Sequence, residues 1–328
     1  MNAGLRPLQL HRSELAVPGI QPRFFAKAAV SPADVVFLDL EDAVAPAAKE
    51  AARGQVIDAL GSLDWGSRTM AVRVNALGTP WALRDIVDVA RACPRLDLIL
   101  LPKAESAFDV RHVEALLAAV ELETGRERPI GIEILLETAR GIVHADEIAA
   151  ASPRLEAMIF GVGDYSSDLR TPDTVFGRPN AGYAVLTEAD EAGTRHLHWN
   201  DQWHYALARV VNACRANGLR PIDGPYTDYR DPDGFAASAA RARSLGFEGK
   251  WAIHPSQVDA ANAAFSPPNE QVAWARQVLE ALDTAAAAGG GGAIGIGGVL
   301  VDLAHARRAR EIMARAELIR RRKHGDRE

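Results

Sequence analysis

The sequence predicts an α/β fold, a parallel TIM (β/α)8 barrel. Eight short apolar runs recur between residues 14 and 255, and amphipathic stretches of helical length separate them. The runs are almost continuously apolar. Parallel strands read this way when helices cover one face and a barrel interior fills the other. The placement of charge agrees, because ionisable side chains close most of the runs, and strand C-termini are where such barrels carry their chemistry. Stability alone requires no ring of charge on one rim.

In chain order the first run is E-L-A-V-P-G (14–19). V-V-F-L-D-L-E-D (35–42) closes on Asp39, Glu41 and Asp42, and T-M-A-V-R-V-N (69–75) on Arg73 and Asn75. L-D-L-I-L-L-P-K (96–103) ends on Lys103, I-G-I-E-I-L-L-E (130–137) on Glu137, and A-M-I-F-G-V-G-D (157–164) on Asp164. L-R-P-I-D-G (219–224) brings Asp223 and G-K-W-A-I-H-P (249–255) brings His254. Apolar spacings of three and four predict helices over 47–60, 81–92, 107–122 and 232–245. The expected domains are the barrel at 1–265 and a C-terminal helical domain at 266–328. In the latter, helices over 269–288 and 303–322 flank a glycine-rich hinge at 289–298. The glycine spacings there suggest a dinucleotide fingerprint, but neither a preceding strand nor a strand–helix–strand crossover accompanies them. The arginines of the last helix read as a solvated or subunit-contacting face.

Composition narrows the class. The chain has 328 residues, 48% hydrophobic and 24% charged, which is ordinary globular usage and enough apolar material for a large core. A net charge of −6 disfavours a general nucleic-acid binder, and no apolar run reaches the roughly 20 residues of a membrane span. The start, M-N-A-G-L-R-P-L-Q-L-H-R, lacks the apolar segment of a secretory signal, so a cytoplasmic location is expected. Cys93 and Cys214 lie in helical contexts and predict core thiols, not a disulfide framework.

Glu137 and Asp164 end consecutive runs with about one helix between them. Neighbouring parallel strands joined by a crossover put both carboxylates at the same sheet end. Oxygen donors without an adjacent cysteine or histidine suit a hard cation such as Mg²⁺. The alternative is that both merely mark strand ends. Residues 165–203 interrupt the repeat with a long segment of the kind that forms a lid or substrate wall. Its His196, His198 and the adjoining His204 lack a helical i, i+4 pairing and read as ordinary loop histidines.

Taken together and in order, L-H-R-S-E-L-A-V-P-G, D-V-V-F-L-D-L-E-D-A-V-A-P, L-D-W-G, I-L-L-P-K, E-I-L-L-E-T-A-R-G, D-E-A-G-T-R-H-L-H-W, R-P-I-D-G-P and F-E-G-K-W-A-I-H-P-S-Q carry a specific resemblance. The chain resembles the CoA-thioester lyases related to the citrate lyase β subunit, an HpcH/HpaI aldolase-like group, and within it the L-malyl-CoA/β-methylmalyl-CoA lyase branch. The resemblance covers nearly the whole chain. It implies a barrel with a C-terminal helical lid, in homotrimers or homohexamers whose lids serve neighbouring subunits. It also implies Mg²⁺, with Mn²⁺ as a substitute, and interconversion of L-malyl-CoA with acetyl-CoA and glyoxylate.

Carried over by position, the resemblance implies Glu137 and Asp164 as metal ligands and Glu41 and Asp42 beside the metal-bound waters. Arg73 contacts the oxo-acid and the thioester, Lys103 joins the substrate-binding set, and Arg23 and Lys27 meet the CoA phosphates. Asp302 becomes the acid/base group of the lid. The glycine run before Asp302 and the A-H-A-R-R-A-R-E after it depart from the family's usual sequence. Malyl-CoA thioesterase and citramalyl-CoA lyase are neighbouring activities on this scaffold. A non-catalytic CoA-binding protein is disfavoured by the joint retention of Arg73, Glu137, Asp164 and Asp302.

Overall fold

The computed structural model describes residues 9–172, 175–178, 180–287 and 293–324. The chain divides into two compact units, one of His11–Ala264 and one drawing on Met1–Leu10 and Phe265–Glu328.

In the first unit all eight expected strands form. They are Ser13–Pro18, Val35–Asp39, Thr69–Arg73, Leu98–Leu101, Gly131–Leu136, Leu155–Phe160, Arg220–Asp223 and Gly249–Ala252. Each pairs in parallel with the next, and the last pairs with the first to close the barrel. Alternate residues point inward, so Val35, Phe37, Leu98, Leu100, Ala157 and Ile159 meet Trp251 in one buried core. Truncating a core leucine such as Leu100 to alanine costs about 2–5 kcal/mol. The strands are shorter than the apolar runs. Leu101 and Leu136 are the last strand residues, which leaves Lys103 and Glu137 on the loops that open at the rim.

Local signals set the helix ends. Ser106 and Asp109 form a capping box at the start of helix Ala107–Thr124, and Gly125, in the left-handed region at φ 66°, ends it. Asp231 caps helix Pro232–Leu245 by accepting from the Gly234 N–H at 2.9 Å. Cys93 and Cys214 are buried and unbridged, and burial pushes the Cys93 thiol up to about 11.

Within 165–203 the described residues include a small antiparallel pair, Val185–Leu186 with Leu197–His198, while His204 opens helix His204–Ala216. Among the described residues, no grouping of three metal-binding side chains includes these histidines. Nor is any helix there long and apolar enough to cross a membrane.

The second unit packs helix Asn269–Ala287 against helix Leu303–His324 through Ala275, Val278, Ala309 and Ile312. The described part of the expected hinge differs from expectation. Ile294–Ile296 and Val299–Val301 form a β-hairpin turned by Gly297 and Gly298 at φ 58° and 84°. Apolar Ile294 and Ile296 give this segment a face to bury, and it packs on the helices. Residues 289–292 of the expected hinge, and Ala288, lie outside the described residues.

Candidate active site

The rim residues are organised around Lys103. Its backbone is in the left-handed region, φ 51°, which is strained for a residue with a side chain. That conformation aims its N–H at Glu137 Oε1, 2.9 Å away. The Lys103 ammonium lies 2.6 Å from Glu41 Oε1, 2.7 Å from Asp164 Oδ2, and 3.9 Å from both Asp42 and Glu137. Carboxylates that follow three different strands therefore converge on one cation.

The fifth and sixth strands pair as neighbours with Leu136 opposite Phe160, so the chain delivers Glu137 and Gly161 side by side. Gly161 has a steric role, because a Cβ there would stand 2.4 Å from the Glu137 Cβ. Asp164 corrects the sequence expectation. The strand stops at Phe160, and Asp164 lies in the first turn of helix Val162–Asp168, one turn past the strand end. The glycine after Phe160 lets the chain bend early.

Arg73 is buried at the end of the third strand. Its Nε and Nη2 donate to the two Asp39 oxygens at 2.7 and 2.6 Å, and Nη1 is 3.1 Å from Glu41 and 3.7 Å from Asp42. A planar guanidinium suits this fork, and the Trp251 ring, 5.5 Å from the Arg73 carbon, supports one face. Burial opposes the Arg73 charge, but Asp39, Glu41 and Asp42 more than offset it and hold the group firmly protonated. Lys49 donates to the Leu40 and Glu41 carbonyls at 2.8 and 2.7 Å, which fixes the loop that presents Glu41. Burial, and then the Glu41 charge, pushes the Glu137 carboxyl up to about 8. Burial likewise raises Glu41.

This donor set fits a hard divalent cation. The candidate ligand atoms are carboxylate oxygens, gathered around the Lys103 ammonium. Asp164 Oδ2 is held by the Lys103 ammonium at 2.7 Å and Glu41 Oε2 by Arg73 Nη1 at 3.1 Å.

Other expected rim residues do not join. Asn75 bonds the Leu40 carbonyl and Asp85, Asp223 is taken by buried Lys250 at 2.6 Å, and His254 stacks on Tyr229. Arg23 and Lys27 are exposed on helix Pro22–Ala29. Asp302 belongs to the second unit, where it caps helix Leu303–His324 by accepting from the Ala304 and His305 N–H groups at 3.0 and 3.2 Å. Asp39 as the anchor of Arg73 and Gly161 as the clearance beside Glu137 went unread. A charge inside an apolar strand and a glycine at a strand end were the available signals.

A second ionisable cluster lies toward the strand starts. His11 Nδ1 is 3.0 Å from Glu14 Oε1 and 3.2 Å from Glu133 Oε1, and all three side chains are fully buried. Burial opposes the His11 charge, yet bonds to Glu133 and Glu14 push it up to about 9; burial and the Glu133 charge push Glu14 up to about 7. The remaining Glu14 oxygen accepts from Trp251 Nε1 at 3.0 Å. The imidazole pairs with both carboxylates, while His11 Nε2 and both Glu133 oxygens are buried without a hydrogen bond.

Comparison with known proteins places this geometry among relatives. The family profile described as HpcH/HpaI aldolase/citrate lyase matches residues 12–255. The chain is 45% identical over 314 residues to the L-malyl-CoA/beta-methylmalyl-CoA lyase of Cereibacter sphaeroides, covering 95% of this chain and 96% of that one. It is 37% identical to the malyl-CoA/beta-methylmalyl-CoA/citramalyl-CoA lyase of Chloroflexus aurantiacus, covering 87% and 81%. Among solved structures, the protein CitE of Mycobacterium tuberculosis in complex with magnesium, acetoacetate and coenzyme A superposes with a TM-score of 0.70. That match has 32% identity and covers 93% of this chain and 97% of that one.

Proposed function

The chain belongs to the HpcH/HpaI aldolase/citrate lyase family, and from that premise we propose that it is a Mg²⁺-dependent carbon–carbon lyase. Its reaction is the reversible cleavage of L-malyl-CoA to acetyl-CoA and glyoxylate, with β-methylmalyl-CoA as a second substrate. The observation that carries the reading is the convergence of Glu41, Asp42, Glu137 and Asp164 on one cationic centre beside buried Arg73.

Glu137 and Asp164 would hold the cation, with Glu41 and Asp42 beside its waters; Mn²⁺ would serve in place of Mg²⁺. Bound there, the ion would supply Lewis-acid polarisation of the substrate's C2 oxygen. Arg73, pinned by Asp39, presents a permanent positive charge to the oxo-acid carboxylate and the thioester oxygen on which enolate charge gathers. Lys103 assists in holding the anionic substrate, and Arg23 and Lys27 meet the CoA phosphates. Asp302 is the acid/base group that returns a proton to the enolate carbon in cleavage and removes it in condensation. Such help is typically worth about 10²–10⁴-fold. The C-terminal unit acts as a lid, and in a homotrimer or homohexamer Asp302 serves a neighbouring subunit.

Incubation with malyl-CoA and Mg²⁺, with glyoxylate, acetyl-CoA and malate quantified separately, tests the reading. Equimolar glyoxylate and acetyl-CoA are expected. Malate with free CoA would instead make the protein a thioesterase.

A further inference from the structure

Asp302 makes three contacts at one oxygen. Its Oδ1 accepts from the Ala304 and His305 N–H groups at 3.0 and 3.2 Å, and it lies 2.7 Å from His305 Nδ1. Among the described residues, Oδ2 makes no hydrogen bond. The Asp302 N–H also faces His305 Nδ1 at 3.3 Å, so the two residues cap the helix reciprocally, in the manner of a capping box, and the 2.7 Å contact of Nδ1 with Oδ1 links the two side chains directly. Two features hold the imidazole in place. It sits one turn along the same helix, and Trp274 of helix Asn269–Ala287 meets it edge-on with ring centroids 6.4 Å apart. Both side chains remain partly open to solvent, 50% for Asp302 and 38% for His305.

Resting on the reading of Asp302 as the acid/base group, we propose that His305 is its positioning residue. The imidazole fixes Oδ1 against the helix start, so that Oδ2 alone exchanges the proton with the thioester α-carbon. In condensation Oδ2 takes the α-proton, and the electron pair of the broken C–H bond stays on the thioester as the enolate that attacks the aldehyde carbon. In cleavage the electron pair of the broken C–C bond becomes that enolate, and Oδ2 returns the proton to carbon. With one oxygen saturated by donors, a carboxylate that could otherwise turn about its terminal torsion presents a defined proton-transfer atom. Misplacement by about 1 Å can cost about 10²-fold. The His305 hydrogen bond, and after it the backbone donors, also holds the Asp302 carboxyl below its ordinary range. His305 is the titratable group in contact with it, and Trp274 is the neutral group from the packed helix.

The test follows Mg²⁺-dependent condensation of acetyl-CoA with glyoxylate as a function of pH in the full chain. The variants are His305→Ala, His305→Gln and Asp302→Ala, each with its Tm. We expect His305→Ala to lower kcat by about 10–10²-fold, leave the KM for acetyl-CoA within about twofold, and move the acidic limb upward. The limb moves because the carboxyl returns toward ordinary aspartate once its leading donor is gone. His305→Gln restores an N–H donor at the same helix position and should recover most of kcat. Wild-type kcat and an unmoved limb in His305→Ala, with Asp302→Ala inactive, would overturn this inference alone. A lowered Tm with unchanged kcat and limb would reduce His305 to a cap and overturn it as well. Full activity in Asp302→Ala would remove the parent reading and this one with it.

Discussion

Two ionisable clusters share the barrel, one at each end, and both bring carboxylates from different strands onto a cation. At the rim the cation is the tip of a flexible stem, Lys103, one third exposed, facing Asp164 at 39% exposure. Toward the strand starts it is the His11 imidazole, sealed with Glu14 and Glu133. At the rim Lys103 Nζ pairs with Asp164 Oδ2 at 2.7 Å and Arg73 Nη1 with Glu41 Oε2 at 3.1 Å, yet burial and the Glu41 charge still push the Glu137 carboxyl up to about 8. At the other end the imidazole is paired to both carboxylates and Trp251 takes the remaining Glu14 oxygen, while His11 Nε2 and both Glu133 oxygens are buried without a hydrogen bond. In the proposed function the open rim serves as the cation site and the sealed end as an ion pairing. The two are joined through Trp251, whose N–H rests on Glu14 and whose ring faces Arg73.

The sharpest way to break this contrast is to remove rim charge without changing shape. Glu137→Gln and Asp164→Asn should each lower Mg²⁺-dependent turnover by at least about 10³-fold, since the ion's charge stabilisation is worth several kcal/mol and about 1.4 kcal/mol is tenfold. The folded barrel should persist, read by circular dichroism; near-native turnover in either variant would remove Glu137 or Asp164 from the metal site. Arg73→Lys should cost about 10² in kcat/KM despite the retained charge, because an ammonium cannot make the bidentate fork on Asp39 or the directed contacts to substrate. Steady-state kinetics near wild type would reduce Arg73 to a source of field.

The smallest effect belongs to the sealed end and appears in stability. The His11 folded-state value of about 9 lies above the ordinary 6.5, so its pairing stabilises fully below pH 6.5 and is lost as pH rises through about 9. Glu14, also raised, acts in the same direction. Denaturant unfolding should show the fall of about 3 kcal/mol that His11 contributes over that window removed in His11→Asn, while Glu137→Gln removes only the separate fall that ends near pH 8. A fall between pH 8 and 9 that survives His11→Asn would place the titrating group elsewhere.

The barrel was legible because each strand is buried on both faces and therefore written as a continuous apolar word between amphipathic helices. The rim was legible because charge interrupts those words at their ends. What escaped the sequence is non-local or steric. The clasp of Asp39 on Arg73 spans two strands, and the trio of His11, Glu14 and Glu133 joins the first strand to the fifth; adjacency along the chain encodes neither. The apolar run continues through Gly161 to Asp164, so periodicity does not reveal that the backbone turns into a helix there. The glycines at 297 and 298 were read as freedom, yet their positive φ angles turn a hairpin whose isoleucines pack on the helices.

A titration of Mn²⁺ into the enzyme, followed by electron paramagnetic resonance, tests the distinction between the two ends most directly. One Mn²⁺ per chain is expected in wild type and in Glu14→Gln, and affinity weakened by about 10² or more in Glu137→Gln, which lacks one carboxylate of the proposed site. Binding that survives Glu137→Gln but disappears in Glu14→Gln would put the metal at the sealed end and contradict the account.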